Sequence, residues 1–318
     1  MLNSALILET AKLIETYINH PQLDPSIYLS TEHTRVYFKN EGLQHTKSFK
    51  LRGVMSKLLR LSEAEKKRGV VAVSSGNHGI AVSYACKIFG LDKALIFVPK
   101  NTPKAKTEKI EYYGASLMIE GACYDEAHSI GMAYVEAHDM VYIDAYDKDE
   151  IVYAGQGTIG LEILLKMPYM DSILVPIGGG GLITGIGIMA KVLNPDIKII
   201  GVQTEACPAM KASMDDNKLY KTFPSKASMC EGLIGGIGAL AFEHSKQVID
   251  DILLVSEGSI QEAMRHMMIK EKLIVEPSSA TVIAALMSNP NYDFGKHVTA
   301  VISGANIDGD FMKTVLGL

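Results

Sequence analysis

A chain of 318 residues, 47% hydrophobic and 21% charged, is long enough to bury one large core or two modest ones and too apolar to remain disordered. Its net charge of −5 comes with acidic and basic residues interleaved, which excludes the clustered basic face that a nucleic-acid partner needs. The cysteines Cys86, Cys123, Cys207 and Cys230 form no CxxC pair, which argues against structural zinc and for a reduced, cytoplasmic setting.

Residues 1–18 carry Glu9, Lys12 and Glu15 at helical spacing and read as an amphipathic helix rather than a leader peptide. Lys66, Lys67 and Arg68 follow Glu63 and Glu65, the pattern of a solvated helix end. Short apolar runs then alternate with longer amphipathic stretches. Residues 70–73 predict a buried strand, and 79–89 a helix stopped by Gly90. Strand 94–98, helix 106–113, strand 116–119, helix 125–137 and strand 141–143 complete a compact α/β unit. The pattern resumes with helix 155–165, strand 173–175, helix 182–193, and strands 197–202 and 252–255. Helices 260–272 and 278–287 lead to a final strand at 298–302. The uncharged run 172–190 contains Pro176 and four consecutive glycines, so a strand-turn-helix explains it and a membrane span does not. The alternation implies an α/β protein of parallel sheets with helices on both faces, whose ligands bind beyond the C-terminal strand ends.

Three motifs fall just after predicted strands. Gly178, Gly179, Gly180 and Gly181 lie between a strand and a helix, where successive backbone N–H groups and the helix dipole suit an anion such as phosphate. No Gly-Lys-Ser/Thr follows, so the loop is not a P-loop, and Ile183 stands where GxGxxG requires its last glycine. The loop Ser74-Ser75-Gly76-Asn77-His78-Gly79 opens a helix. It reads equally as an N-cap turn and as a carboxylate site with Asn77 reaching a ring hydroxyl. Ser303 opens the turn Ser303-Gly304-Ala305-Asn306, and a hydroxyl there would face a pyridine nitrogen without adding charge, which suits elimination over transamination. Upstream, Lys50 sits in Ser48-Phe49-Lys50-Leu51-Arg52-Gly53, between an apolar ring and a glycine that permits close approach. A Schiff-base lysine needs such a partly desolvated place.

Together these four motifs resemble the fold-type II pyridoxal-phosphate enzymes, in the serine/threonine dehydratase and serine racemase branch. The segments Gly155-Gln156-Gly157-Thr158-Ile159-Gly160-Leu161-Glu162 and Glu276-Pro277 extend the resemblance over nearly the whole chain. It implies two open parallel-sheet α/β domains with pyridoxal 5'-phosphate in the cleft between them. Residues 1–52 and 145–318 would form the large cofactor-binding domain, and 53–144 a smaller mobile one. Lys50 would carry the cofactor and move the α-proton, Phe49 and Gly232 would sandwich the ring, and Asn77 would bind its oxygen. Gly178 to Gly181 would hold the phosphate and Ser303 the ring nitrogen, while Ser74, Ser75, Asn77 and His78 would bind the substrate carboxylate. The implied activity is that of a lyase: β-elimination from L-threonine or L-serine to a 2-oxo acid and ammonia. The implied assembly is a homodimer, with a small amino acid as substrate and no nucleic-acid or membrane partner.

Departures from the family pattern matter. Dedicated dehydratases of the resembled branch carry alanine where this chain has Ser75, whereas racemases carry serine as the acid/base on the opposite face. Racemisation of serine or aspartate, or dehydration of threo-3-hydroxyaspartate, therefore stands as the alternative. Glu205 and Ala209 match two positions of the racemases' divalent-metal site, but Lys211 replaces the aspartate, so no metal of that kind is expected. Ala-Asp-Gly of the family is here Cys230-Glu231-Gly232, and the N-terminal Thr-Pro-Leu is blurred around Pro21-Gln22-Leu23. Cysteine-synthase-like β-replacement fits less well, because those chains carry a threonine after the loop asparagine and Gly-Thr-Gly-Gly-Thr at the phosphate. A non-catalytic binding protein of the same fold would have lost the lysine or the glycine loop.

Overall fold

A computed structural model describes every residue but Ser75, Asn101, Pro103 and Cys123, together with all side chains except those four and residues 104–106 and 125. The expectations placed on Ser75 and Cys123 thus lie outside the described residues.

The chain opens with helix α1 (Ser4–Ile14), capped by the Asn3 side chain, which accepts from the Leu6 amide. Two strands, β1 (Leu23–Pro25) and β2 (Arg35–Asn40), precede α2 (Lys50–Leu59) and the exposed α3 (Glu63–Arg68). Ser62 and Glu65 close a capping box on α3, and Gly69 ends it at φ +89°. Strand β3 (Val70–Val73), α4 (Asn77–Phe89), β4 (Ala94–Val98), α5 (Lys104–Tyr112), β5 (Ser116–Ile119), α6 (Tyr124–His138) and β6 (Val141–Tyr142) follow. Then come α7 (Glu150–Lys166), β7 (Ser172–Pro176), α8 (Gly181–Leu193), β8 (Lys198–Thr204), α9 (Ala209–Asp215) and α10 (Ala239–Val248). The chain closes with β9 (Asp251–Val255), α11 (Glu257–His266), α12 (Pro277–Ser288), β10 (His297–Ile302) and α13 (Gly309–Leu316).

These strands form two sheets, one ordered β1-β2-β10-β7-β8-β9 and one ordered β5-β4-β3-β6. Every pairing is parallel except β1 with β2. The central strands read as unbroken apolar runs because helices cover both faces: β3 and β7 are buried at every residue. Two apolar clusters pack against the six-stranded sheet, and two more serve the four-stranded one. Among the described residues no helix is long and apolar enough to cross a membrane.

Close helix contacts fix the element that carries Lys50. A Cβ on Gly155 would lie 2.5 Å from the Gly53 Cα, and one on Gly53 would lie 2.8 Å from the Val152 carbonyl oxygen, so α2 and α7 touch backbone to backbone. Arg52, fully buried one turn face away, donates to both carboxylate oxygens of Glu41 at 2.7 and 2.8 Å and to Glu162 at 2.7 and 3.0 Å. Glu162 also receives Lys39. Two cations and two carboxylates therefore neutralise one another inside the protein and tie β2, α2 and α7 together.

Candidate active site

The Lys50 segment meets the final turn of the six-stranded sheet through backbone bonds. The Phe49 amide donates to Ser303 O at 2.9 Å, the Ala305 amide donates to Lys47 O at 2.9 Å, and Ser48 bridges Gly304. Lys47 takes φ +61° to make this turn, a conformation that costs a non-glycine residue free energy and clusters at functional sites. Residues some 250 positions apart are thereby adjacent, which no local pattern in the sequence could reveal.

Lys50 begins α2 and its ammonium donates to Ala145 O at 3.0 Å. It lies 5.3 Å from the Phe49 ring centroid and 5.9 Å from that of Tyr146. Burial pushes the amine down from its ordinary 10.5 to about 8, with Asp144 and Glu276 pulling in the opposite direction. Asp144 is itself disfavoured by burial. Three backbone N–H groups, those of Asp147, Lys148 and Tyr146, nevertheless hold its carboxyl below the usual range.

The glycine loop turns from β7 into α8, with Gly180 at φ +94°. Side chains are excluded there by contact. A Cβ on Gly179 would sit 2.1 Å from the Tyr146 ring, one on Gly178 2.6 Å from Gly232 O, and one on Gly180 2.5 Å from Ala241 Cβ. Among the described residues, none of the Gly178 to Gly181 amides donates to an acceptor of the chain, which leaves four successive N–H groups available to an anion at the cavity wall.

Asn77 starts α4 and its amide nitrogen donates to both Glu276 oxygens, at 2.9 and 3.0 Å. Asn306 Nδ2 donates to Asn77 Oδ1 at 2.7 Å. Ser303 is buried with its hydroxyl 2.9 Å from that of Ser279, which is in turn bonded to both backbone groups of Gly304. The Ser74 hydroxyl accepts from the Gly76 amide at 3.2 Å. His78 is buried, and its Nε2 donates to Ile143 O at 2.8 Å. Burial and the neighbouring Lys50 push its imidazole down to about 4, so it is neutral and Nδ1 carries a lone pair without a partner.

Phe49, Lys50, Ser74, Asn77, His78, Gly178 to Gly181, Gly232 and Ser303 all line one cavity of about 820 Å³ between the two sheets. Gln156, Tyr146, Lys109, Glu276 and Asn306 line it too. No local motif singles out Tyr146 or Lys109. The resemblance segments contained Gln156 and Glu276, and the Ser303 turn contained Asn306, all without a role.

The arrangement fits pyridoxal phosphate: a lysine with a depressed pKa, four free backbone donors for a phosphate, and a neutral hydroxyl pair and an amide around a space of aromatic size. The family model for pyridoxal-phosphate dependent enzymes matches residues 17–304, and the chain belongs to that family. It is 37% identical over 312 residues to an L-threonine ammonia-lyase of Thermotoga maritima, covering 98% of this chain and 77% of that one. It is likewise 37% identical to the catabolic L-threonine dehydratase of Escherichia coli K12, over 89% of this chain and 86% of the relative. In structure it is similar to maize serine racemase, with a TM-score of 0.93 at 29% identity over 99% of this chain and 97% of that one. The protein is thus a fold-type II enzyme that depends on pyridoxal phosphate, as the four motifs implied.

Proposed function

We propose that the protein is an ammonia-lyase that converts a β-hydroxy amino acid, L-threonine or L-serine, to a 2-oxo acid and ammonia. The observation that carries this reading is the neutral Ser303–Ser279 hydroxyl pair in the cavity that also holds Lys50. A buried hydroxyl pair leaves a ring nitrogen uncharged, which favours loss of a β-substituent over transamination. The relatives named for threonine ammonia-lyase and dehydratase activity support the same substrate class.

The residues divide the work. The Gly178 to Gly181 amides would hold the phosphate, Ser303 would meet the ring nitrogen, Asn77 the ring oxygen, and Phe49 and Gly232 would flank the ring. The chemistry supplied by bound pyridoxal phosphate is an electron sink for charge developing at the substrate α-carbon. Lys50 is the carrier lysine and the base that moves the α-proton, and a pKa near 8 gives its amine a useful neutral fraction at physiological pH. Ser74, Ser75, Asn77 and His78 take the substrate carboxylate. With a neutral ring that donates to Ile143 O, His78 contributes its backbone N–H and the helix end rather than its side chain. Residues 53–144 act as the mobile domain against 1–52 and 145–318, and their closure shuts water out of the cavity. The reading extends to a cytoplasmic homodimer.

Ser75 favours a second activity. By the family resemblance Ser75 would serve as a second acid/base, so racemisation of serine or aspartate would accompany elimination. The test is product analysis. Incubating the cofactor-loaded enzyme with L-threonine and L-serine should release 2-oxo acid and ammonia, and Lys50→Ala should abolish both. Oxo acid formation that survives this substitution overturns the assignment.

A further inference from the structure

Residues 143–149 form a strap that leaves β6, enters α7 and reaches the Lys50 amine on the way. Two of its carbonyls face the site: Ile143 O accepts from His78 Nε2 at 2.8 Å, and Ala145 O accepts from the Lys50 ammonium at 3.0 Å. Asp144 stands between them in sequence, half-buried, and does not itself line the cavity. Its carboxylate turns back on the strap and accepts from the amides of Tyr146 and Asp147 at 3.0 Å, of Lys148 at 2.8 Å and of Asp149 at 3.2 Å. One side chain thus folds the segment that follows it around itself. The far end of the strap is tied to the same helix as Lys50, since Lys57 pairs with Asp149 at 2.6 Å. Between the two ends, the Tyr146 ring packs against Gly179 of the glycine loop.

A base that moves a proton must keep its nitrogen within hydrogen-bond reach of the reacting atom, and a lysine on a flexible stem has many other rotamers. The Ala145 carbonyl selects one of them for the free amine, and that carbonyl is only as fixed as the strap that carries it. We propose that Asp144 is a positioning residue for the reaction. By folding residues 144–149 around its carboxylate, it holds the Ala145 carbonyl where the Lys50 amine rests between proton transfers. This rests on Lys50 being the carrier lysine of the ammonia-lyase reading, and it adds a residue that the reading does not use. The charges around the amine agree with the geometry. Two carboxylates favour its ammonium form, and Asp144 outweighs Glu276, while the neighbouring His78 is buried and neutral. Glu276 is held by Asn77 of α4, so the strap governs Asp144 alone of the two.

The test compares Asp144→Asn with Asp147→Asn. Asp147 is an acid of the same strap whose carboxylate accepts from the Ala239 amide and does not bear on the Lys50 amine. The first readout is the pH dependence of pyridoxal phosphate capture by apo-protein. Asp144→Asn removes a charge that favours the ammonium, so capture should level off about one pH unit below wild type, the scale of one nearby buried charge. The second is oxo acid formation from L-threonine by loaded enzyme, where kcat should fall about tenfold or more while KM stays within about twofold. Asp147→Asn should match wild type in both. A folded Asp144→Asn protein that keeps either the wild-type profile or the wild-type kcat overturns the proposal, as does an equal shift in Asp147→Asn. Should Asp144→Asn not fold, hydrogen exchange in the wild type decides. Slow exchange at the amides of residues 146–148 supports the fixed strap, and exchange as fast as in an unfolded chain overturns it. Capture by Lys50→Ala at the wild-type rate would instead overturn Lys50 as the carrier. Wild-type enzyme that makes no oxo acid would overturn the ammonia-lyase reading, and the capture profile alone would then decide the role of Asp144.

Discussion

The depressed pKa of Lys50 makes a prediction that can be read before any turnover. A lysine amine must be neutral to capture an aldehyde. With its ordinary value of 10.5, ~0.03% of the amine is neutral at pH 7, whereas at about 8 the fraction is ~10%, a gain of roughly 300-fold. Apo-protein mixed with pyridoxal phosphate across pH 6 to 10 should therefore capture it at a rate that rises about tenfold per pH unit and levels off near pH 8. Stopped-flow absorbance of the bound cofactor follows the process directly, and Lys50→Ala gives the background. A rate that keeps climbing beyond pH 9.5 would refute the argument that burial dominates over Asp144 and Glu276.

Gly179→Ala must push a methyl into the Tyr146 ring, since the Cβ would lie at 2.1 Å, so it should cost about 1–3 kcal/mol of stability and weaken cofactor binding more than tenfold. Wild-type affinity in a fluorescence titration would show that the loop is not the phosphate cradle. Arg52→Met leaves the fully buried Glu41 without its guanidinium and should destabilise the fold by about 3–5 kcal/mol in urea unfolding, and a loss below 1 kcal/mol would refute the buried network. The Glu162 carboxyl is penalised by burial, yet Arg52 and Lys39 lower it from 4.5 to about 2. Its stabilisation is accordingly complete above pH 4.5 and lost as the pH falls toward 2, worth roughly 3 kcal/mol, and Glu162→Gln should flatten that part of the acid unfolding curve. Ser75→Ala should suppress release of D-serine by chiral chromatography while oxo acid formation persists, and racemisation at the wild-type rate would remove Ser75 from acid/base duty.

The parallel strands were legible because a strand covered on both faces has no polar side to confuse the pattern, as in the four buried residues of β3. Helices α4, α5, α6, α8 and α12 were legible too, within a few residues at the ends, whereas α2, α9, α10 and α13 were not anticipated. Three failures have physical causes. Helix α7 begins at Glu150, five residues before the expected start, because its buried residues surround it and leave no polar stripe to mark its period. Helix 260–272 instead begins at Glu257 and gives way after His266 to a π turn, Met267–Glu271, whose wider winding shifts the register. Strands β1 and β2 went unseen, and β1, a three-residue edge strand with two exposed residues, also breaks the expected all-parallel pairing by running antiparallel to β2. The described candidate site residues, by contrast, do come to one cavity, because glycine loops and helix starts are read from local chemistry alone.

Helix α2 shows why the site's support was hidden while its reactive lysine was not. Its sequence places Arg52 where an amphipathic reading requires an apolar residue, and the structure buries that guanidinium completely. Such burial is tolerable only because Glu41 arrives from beyond β2 and Glu162 from α7, with the Thr158 hydroxyl accepting a further bond from Arg52 and Lys39 completing the charge balance on Glu162. These partners are 11 and 110 residues away, so the neutralisation exists only once three elements have assembled. A geometry-specific ion cluster tolerates less sliding than an apolar contact, because any shift strands a charge in a medium that cannot solvate it. Lys50 stands two residues before Arg52 and inherits that fixed position, with Gly53 and Gly155 allowing the two helix backbones to touch on the next residue. The lysine that must be mobile enough to transfer a proton is thus mounted on a turn held by buried charges and by backbone contact with α7.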